Sequence, residues 1–289
     1  MKIVALHYKN VLLFCAICLA LLLTYKYLYG GSEEQLNLEP GVEELGTICS
    51  KLADDCYRIK QEVESGKLVI NRQSLWSEYI STMASFPYAV GALQFDVPDK
   101  KVLSIGLGGG SLDMFLRTKR PELDITVVEL DPTIVEMATR WCGLVDDERH
   151  RTVVGDGVEF LKKAAQADKK YNAIALDACN SGDELHRCPA FVFYGAETME
   201  NTKKAMTDSG VFMINVLATN VSEIITVVKN HFPTCYLGQM FTVNIVIACQ
   251  KKHVDPTPQV LKVLHVRFGT AMAKQGLDSI IGSIVFSPL

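Results

Sequence analysis

After Lys101 the chain settles into a regular alternation that few folds accommodate. Short apolar runs (KVLSI, DITVVEL, RTVV, NAIALD, GVFMINV and a last pair, CYLGQM and NIVIACQ) are separated by stretches with helical spacing. Those stretches are SLDMFLRT, PTIVEMATRW, GVEFLKKAA, the segment from Glu197 to Met206, and SEIITVVKNHF. A strand that is apolar nearly throughout is covered on both faces, and a helix between two such strands is the usual crossover of a parallel pair. The pattern predicts an α/β domain on a doubly wound, mostly parallel seven-strand sheet. Pro132 at a helix start and Gly210 before a strand punctuate it. The last two strands, joined by a few residues, predict an antiparallel hairpin at the sheet edge. Such a sheet takes its ligand at the carboxyl ends of its strands.

The residues before this pattern are organised differently. From Val11 to Leu23 no side chain is charged. Counted through Tyr29, with Lys26 able to reach the headgroups, the segment approaches the roughly 20 residues that span a bilayer. A cleaved signal peptide, with Lys2 and Lys9 as its basic end, needs small residues before the cut, where TYKYLYGG has bulky ones. The expectation is a single-pass signal-anchor, with residues 1–30 as anchor and short flanks, the membrane engaged through 11–29, and 31–41 as a tether. Residues 42–99 read as a small preface. In it YRIKQEVESGKLVINR alternates on both sides of a Ser-Gly turn, as a hairpin does, and SLWSEYISTMASF has helical spacing with Ser74 as its cap. Residues 100–289 form the main domain, and 48% hydrophobic content suffices for one core plus a small appendage.

The first strand of that domain runs into IGLGGGS, with Gly106, Gly108, Gly109 and Gly110 inside five residues. Bare backbone between a strand and a helix lets a bulky ligand approach the main chain: a dinucleotide, a mononucleotide phosphate, or the adenosyl sulfonium of S-adenosylmethionine. Ser111 stands where a dinucleotide fingerprint has its third glycine, and no Gly-Lys-Ser/Thr follows for a phosphate loop. A plain tight turn is the alternative. Glu129 closes the second strand in VVELDP, where a carboxylate can accept from both ribose hydroxyls. Asp156, in VVGDGVEFL, can accept from an adenine amino group while the Gly157 N–H faces the ring; otherwise it caps the helix that begins there. Three such elements in order, at the ends of strands one, two and three, favour an adenosine site of the methyltransferase type.

VLSIGLGGGS, VVELDP, VVGDGVEFL and YNAIALD occur in the order and spacing of the spermidine-synthase-like branch of the seven-strand methyltransferases. The chain resembles that branch from Lys101 to Val216. GLGGGSL, the ATRW helix and CPAFV resemble the carboxy-terminal domain of the eukaryotic dual methyltransferase of elongation factor 1-alpha more than the polyamine enzymes. The resemblance implies S-adenosyl-L-methionine as cofactor, and it marks departures. Spermidine synthases carry a D-x-x-D after the fourth strand, where an Asp helps deprotonate the attacking amine. Here Asp177-Ala-Cys-Asn180 keeps only the first acid. Their glycine-loop Asp is Gly109 in this chain, and their polyamine-holding tyrosine and acid fall opposite Ile80 and Thr82. A dicationic substrate would meet too little negative charge.

The expectation is therefore a methyltransferase acting on a protein or small amine, with Asp177 and Asn180 orienting the amine. Methyl transfer from a sulfonium needs an aligned lone pair, not a strong base. Asp177 as a strand-end residue bonding its own loop is the plainer alternative. Aminopropyl transfer and a non-catalytic adenosyl-binding scaffold are the alternatives at the level of the whole protein. Cys179, His186 and Cys188 on the next loop lack a fourth ligand at suitable spacing, so no metal is expected.

A net charge of −4 leaves no basic surplus for nucleic acid, and a homodimer is compatible with the chain. Lys2, Lys9 and the amino terminus, against Lys26 followed by Glu33 and Glu34, favour a cytosolic amino terminus and a lumenal or external domain. The cofactor is made in the cytosol and pulls the other way, so the side of the membrane stays open. So does the redox compartment: Cys15 and Cys18 lie in the apolar segment, and Cys49 and Cys56 could pair if the protein is lumenal. Asn220-Val221-Ser222 is a glycosylation sequon, a pattern that chance often supplies.

Overall fold

The computed structural model describes residues 42–49, 56–62, 77–180, 186–218, 221–240, 243–277 and 284–289. Ahead of the main domain, β1 (Val42–Cys49) and β2 (Cys56–Glu62) pair antiparallel, with Cys49 opposite Cys56 in the register. The strand expected after the Ser-Gly turn lies outside the described residues, as do the apolar segment 11–29, the tether and Ser74. The preface helix, α1 (Glu78–Ala89), starts later than its spacing suggests: Ser77, not Ser74, holds the cap position. Among the described residues, no helix is long and apolar enough to cross a membrane.

The main domain carries β3 (Lys101–Ile105), β4 (Asp124–Glu129), β5 (His150–Val154), β6 (Tyr171–Leu176), β7 (His186–Cys188), β8 (Met206–Ala218), β9 (Thr234–Gln239), β10 (Ile245–Gln250) and β11 (Val285–Pro288). Eight of these lie in the order β11-β9-β10-β8-β6-β3-β4-β5, and β7 pairs with the end of β8 at Leu217 and Ala218. From β5 through β4, β3 and β6 to β8 all pairings are parallel; β10 runs antiparallel to β8 and β9, and β11 antiparallel to β9. The chain leaves β3 on one side for β4 and β5, then returns to its other side as β6. That reversal makes the switch point where such sheets bind ligands.

The expected seven strands are present, with two corrections. The last pair forms an antiparallel hairpin but not at the edge, because β10 inserts between β8 and β9 and β11 covers β9. Gly210 does not precede its strand but lies within β8, where two steps along β6 (Tyr171 to Ala173) match five along β8 (Met206 to Val211) and the strand bulges.

Helices cover both faces: α2 (Ser111–Lys119), α3 (Pro132–Met137) running on into a π turn over Ala138–Cys142, α4 (Gly157–Gln166), α5 (Ala196–Ala205), α6 (Val221–His231) and α7 (Pro258–Lys274). One apolar cluster joins Phe86, Phe115 and Phe268 to Ala173 and Val246; the other joins Leu161, Met199 and Ile224 to Ile174 and Ile247. Successive strand residues thus enter opposite cores, which is why these strands are apolar throughout. The sequence pattern assigned nothing after Gln250, yet α7 carries a plain start signal: Thr257 caps it through the Val260 N–H, and Pro258 opens it. Phe86 of α1 is fully buried against the rings of Tyr236 at 5.9 Å and Phe286 at 4.8 Å. That packing fixes α1 on the sheet and brings its first turn to the carboxyl end of β6.

Candidate active site

The glycine loop is shaped by close backbone approach. Gly106 follows β3 in left-handed backbone, φ +93°, and its N–H donates to the Val128 carbonyl at 2.8 Å. A Cβ there would stand 2.4 Å from the Asp177 carbonyl oxygen, so no larger residue fits. Beside Gly108 (φ +54°) a Cβ would meet nothing within 4 Å, which leaves room next to the loop. Gly110 is the N-cap of α2 and supplies its N–H groups with no side-chain cap. Gly109 lies between these two, so the four predicted glycines form one turn at the end of β3.

Glu129 ties that turn to the next two strand ends. Its Oε2 accepts from the Leu107 N–H at 2.9 Å, its Oε1 from the Asp131 N–H at 2.9 Å, and its carbonyl from the Gly155 N–H at 2.8 Å. Each carboxylate oxygen keeps room for a further donor. Asp156 Oδ1 accepts from the Val158 and Glu159 N–H groups at 2.7 and 3.2 Å, so it does cap α4. Its residue is exposed, and its outer oxygen is bonded to no described residue. Gly157 has no space for a side chain: a Cβ would lie 2.6 Å from Ile105 Cγ2 and 3.1 Å from the Phe193 ring.

Behind the loop, the first turn of α2 is anchored to β5. His150 is fully buried, with Nε2 2.9 Å from Asp113 Oδ2 and Nδ1 3.2 Å from Asp146 Oδ1. Burial pulls the imidazole down, but the two carboxylates outweigh it and hold it above its ordinary value.

Asp177 stands across from this cradle, at the end of β6, with its N–H donating to the Ile105 carbonyl at 2.8 Å. Its Oδ1 accepts from Asn215 Nδ2 at 2.6 Å, and its Oδ2 from the Tyr79 hydroxyl at 3.4 Å. Asn215 Oδ1 in turn accepts from Asn244 Nδ2 at 2.9 Å. Burial raises the Asp177 carboxyl to about 6, although the Asn215 and Tyr79 hydrogen bonds pull the other way.

The sequence motifs miss Tyr79, Asn215 and Asn244. Tyr79 lies one residue before Ile80, where the resemblance placed the polyamine tyrosine; Ile80 and Thr82 are themselves buried. Asn215 has a readable signal, as a polar residue interrupting the apolar run GVFMINV, whereas Asn244 only opens the run NIVIACQ. The hydrogen bonds on Asp177 come from Tyr79 and Asn215, and among the described residues none joins it to the predicted Asn180. The loop between is closed by a disulfide from Cys179 to Cys188, whose sulfurs are thereby bonded to each other. A second disulfide, Cys235–Cys249, joins β9 to β10. Phe191, Val192 and Val243, on the neighbouring segments, are exposed.

Residues 78–255 match the spermine/spermidine synthase domain family, and the chain belongs to that family. Curated relatives include the eEF1A lysine and N-terminal methyltransferase of Mus musculus, 30% identical over 173 residues, or 57% of this chain and 25% of that protein. The Drosophila melanogaster homolog is 30% identical over 188 residues, 63% of this chain and 27% of its own length. A polyamine aminopropyltransferase of Vibrio vulnificus is 33% identical over 138 residues, 47% of this chain and 44% of that one. The chain thus spans about a quarter of the length of the first two relatives. Among solved structures, human methyltransferase-like protein 13 in complex with SAH aligns with a TM-score of 0.60 and 25% identity, over 68% of this chain and 93% of that one. A probable spermidine synthase from Corynebacterium glutamicum shares the fold, with a TM-score of 0.59 and 16% identity over 77% and 86% of the two chains.

Proposed function

We propose that this member of the spermine/spermidine synthase domain family is an S-adenosyl-L-methionine-dependent methyltransferase acting on an amine of a protein. The observation that carries the reading is that the Asp177 carboxyl, at the end of β6, faces a backbone cradle at the ends of β3, β4 and β5. The cradle fits the cofactor: Gly108 leaves room beside the loop, the Glu129 oxygens can each accept from a ribose hydroxyl, and the outer oxygen of Asp156 can accept from an adenine amino group. When bound, the cofactor would supply an electrophilic methyl group on a sulfonium.

Asp177 accepts a hydrogen bond from the amine and aims its lone pair. An α-amino group, with an ordinary pKa near 8, is partly neutral at physiological pH, whereas a lysine near 10.4 is far less so. A carboxyl titrating at about 6 therefore suits an amino-terminal acceptor. Two curated relatives are named for lysine and N-terminal methylation of eEF1A, which supports a protein amine. The Vibrio vulnificus relative supports aminopropyl transfer instead, but Gly109 and Asn180 replace two acids of the polyamine enzymes.

The two disulfides support a domain held in the lumen or outside the cell, and the uncharged run in residues 11–29 supports its anchoring there. They agree with the charge bias around that segment. The acceptor is then an amine of a secretory or extracellular protein, and a cytosolic factor is out of reach.

The test pairs titration of S-adenosylmethionine and its decarboxylated form with mass spectrometry on polyamines and on peptides with free or acetylated amino termini. Methylation of the free-terminus peptides is expected. Tighter binding of the decarboxylated form with aminopropyl product would overturn the reading, and binding without any product would favour a scaffold. Protease protection in intact microsomes checks the compartment: cleavage of the domain from the cytosolic side contradicts it.

A further inference from the structure

We propose that Asn244 is a positioning residue for Asp177: acting through Asn215, it determines which carboxyl oxygen exchanges a proton. Asn215 is 2% exposed and has one accepting and one donating end. With Asn244 Nδ2 donating to its Oδ1 at 2.9 Å, its own Nδ2 is turned to Asp177 Oδ1 at 2.6 Å. An amide N–H cannot accept, so Oδ1 is held as an acceptor in both protonation states. A proton on the carboxyl must then sit on Oδ2, beside the Tyr79 hydroxyl at 3.4 Å. Were the Asn215 amide reversed, its oxygen would face Oδ1 and require a proton there.

The groups facing Asp177 are Tyr79 from α1 and Asn215 from β8. Tyr79 is the one titratable group bonded to it among the described residues, and no described lysine, arginine or histidine forms an ion pair with it. The two oxygens thus divide the work. Oδ1 is fixed by the amide relay, and Oδ2 takes the proton when the amine N–H bond breaks, leaving the pair of electrons on nitrogen.

This inference rests on the acceptor role proposed for Asp177, so the test reads titration without turnover. Full-length protein carrying carboxyl-13C aspartate is titrated by NMR, with the Asp177 resonance identified by its loss in Asp177→Asn. Asn244→Leu removes the donor on Asn215, and the Asp177 midpoint should rise by about one pH unit. Asn244→Asp keeps the size but can only accept, so it should reverse the Asn215 amide and raise the midpoint further. A midpoint unchanged in Asn244→Leu, or lowered by Asn244→Asp, overturns the relay. Should Asn244→Leu fail to fold, Asn244→Ala, which also removes the donor and adds no charge, decides in its place. A parent that titrates as described but transfers no methyl group refutes the proposed function and leaves the relay standing.

Discussion

The two sides of the cleft are built on opposite plans. The cradle side is local and made of backbone: a glycine turn, one carboxylate bonded to flanking N–H groups, and one helix cap. The acceptor side is made of side chains from α1, β6, β8 and the segment leading into β10. Its hydrogen bonds join residues 98, 38 and 29 positions apart. Backbone can be shaped by its immediate sequence, whereas a constellation of side chains exists only once the sheet has brought distant strands together. The cradle should therefore respond to substitution through shape and stability, and the acceptor side through chemistry.

The largest effect is expected where chemistry is at stake. Asp177→Asn should lower methyl transfer by about 10²–10⁴-fold while leaving the cofactor titration as in the parent. Parent activity should rise with pH through about 6, as the carboxyl loses its proton, and the variant should lack that limb. Stability moves the opposite way. Between the ordinary value of 3.8 and about 6 the native state holds a proton that the unfolded state has lost. Stability should therefore fall as pH rises across that window, and Asp177→Asn should remove the slope in thermal melts. Loss of cofactor binding in Asp177→Asn would erase the distinction between the two sides.

Next comes the contrast between two glycines of the cradle. Gly106→Ala forces a methyl group against the Asp177 carbonyl and should cost about 3 kcal/mol or more. Gly108→Ala meets open space and should cost only the left-handed strain, about 1 kcal/mol. Thermal unfolding of the pair reads this directly, and equal losses would show that the close approach at Gly106 is not what the loop is built around.

The smallest effects separate the two acids. Glu129→Ala leaves the Leu107 and Asp131 N–H groups without their acceptor and should weaken S-adenosylhomocysteine binding by about 1–3 kcal/mol in calorimetry. Asp156→Ala should cost about 1 kcal/mol of stability through the lost α4 cap, with a smaller effect on binding. A pair that binds as the parent does would remove both from the cofactor site.

What the sequence makes legible follows the same division. The glycine turn, Glu129 and Asp156 each stand at a strand end within a contiguous motif, and the sheet order follows from apolar runs covered on both faces. Tyr79 escapes because one step along a helix turns a side chain by about 100°, so a motif position carried over one residue out lands in the core. Motif spacing points to Asn180, but the side chains bonded to Asp177 are those of Tyr79 and Asn215. The partners of Asp177 come instead from α1 and β8, with Asn244 on the approach to β10 bonded to Asn215, and that β8 lies beside β6 and β10 beside β8 is a tertiary fact. β11 is four residues long and has no pattern of its own; it exists because β9 offers it an edge.

The contact between Gly106 and the Asp177 carbonyl, reinforced by the bond from the Asp177 N–H to Ile105, bears on how such domains can be recombined. A chimera taking its donor loop from one relative and its acceptor loop from another would have a seam there without slack. A shift of a few tenths of an ångström in either backbone would be transmitted to the other. Swaps should therefore succeed when residues 105–110 and 176–178 travel together as one block, and selections for a new acceptor should return compensating changes in the glycine turn.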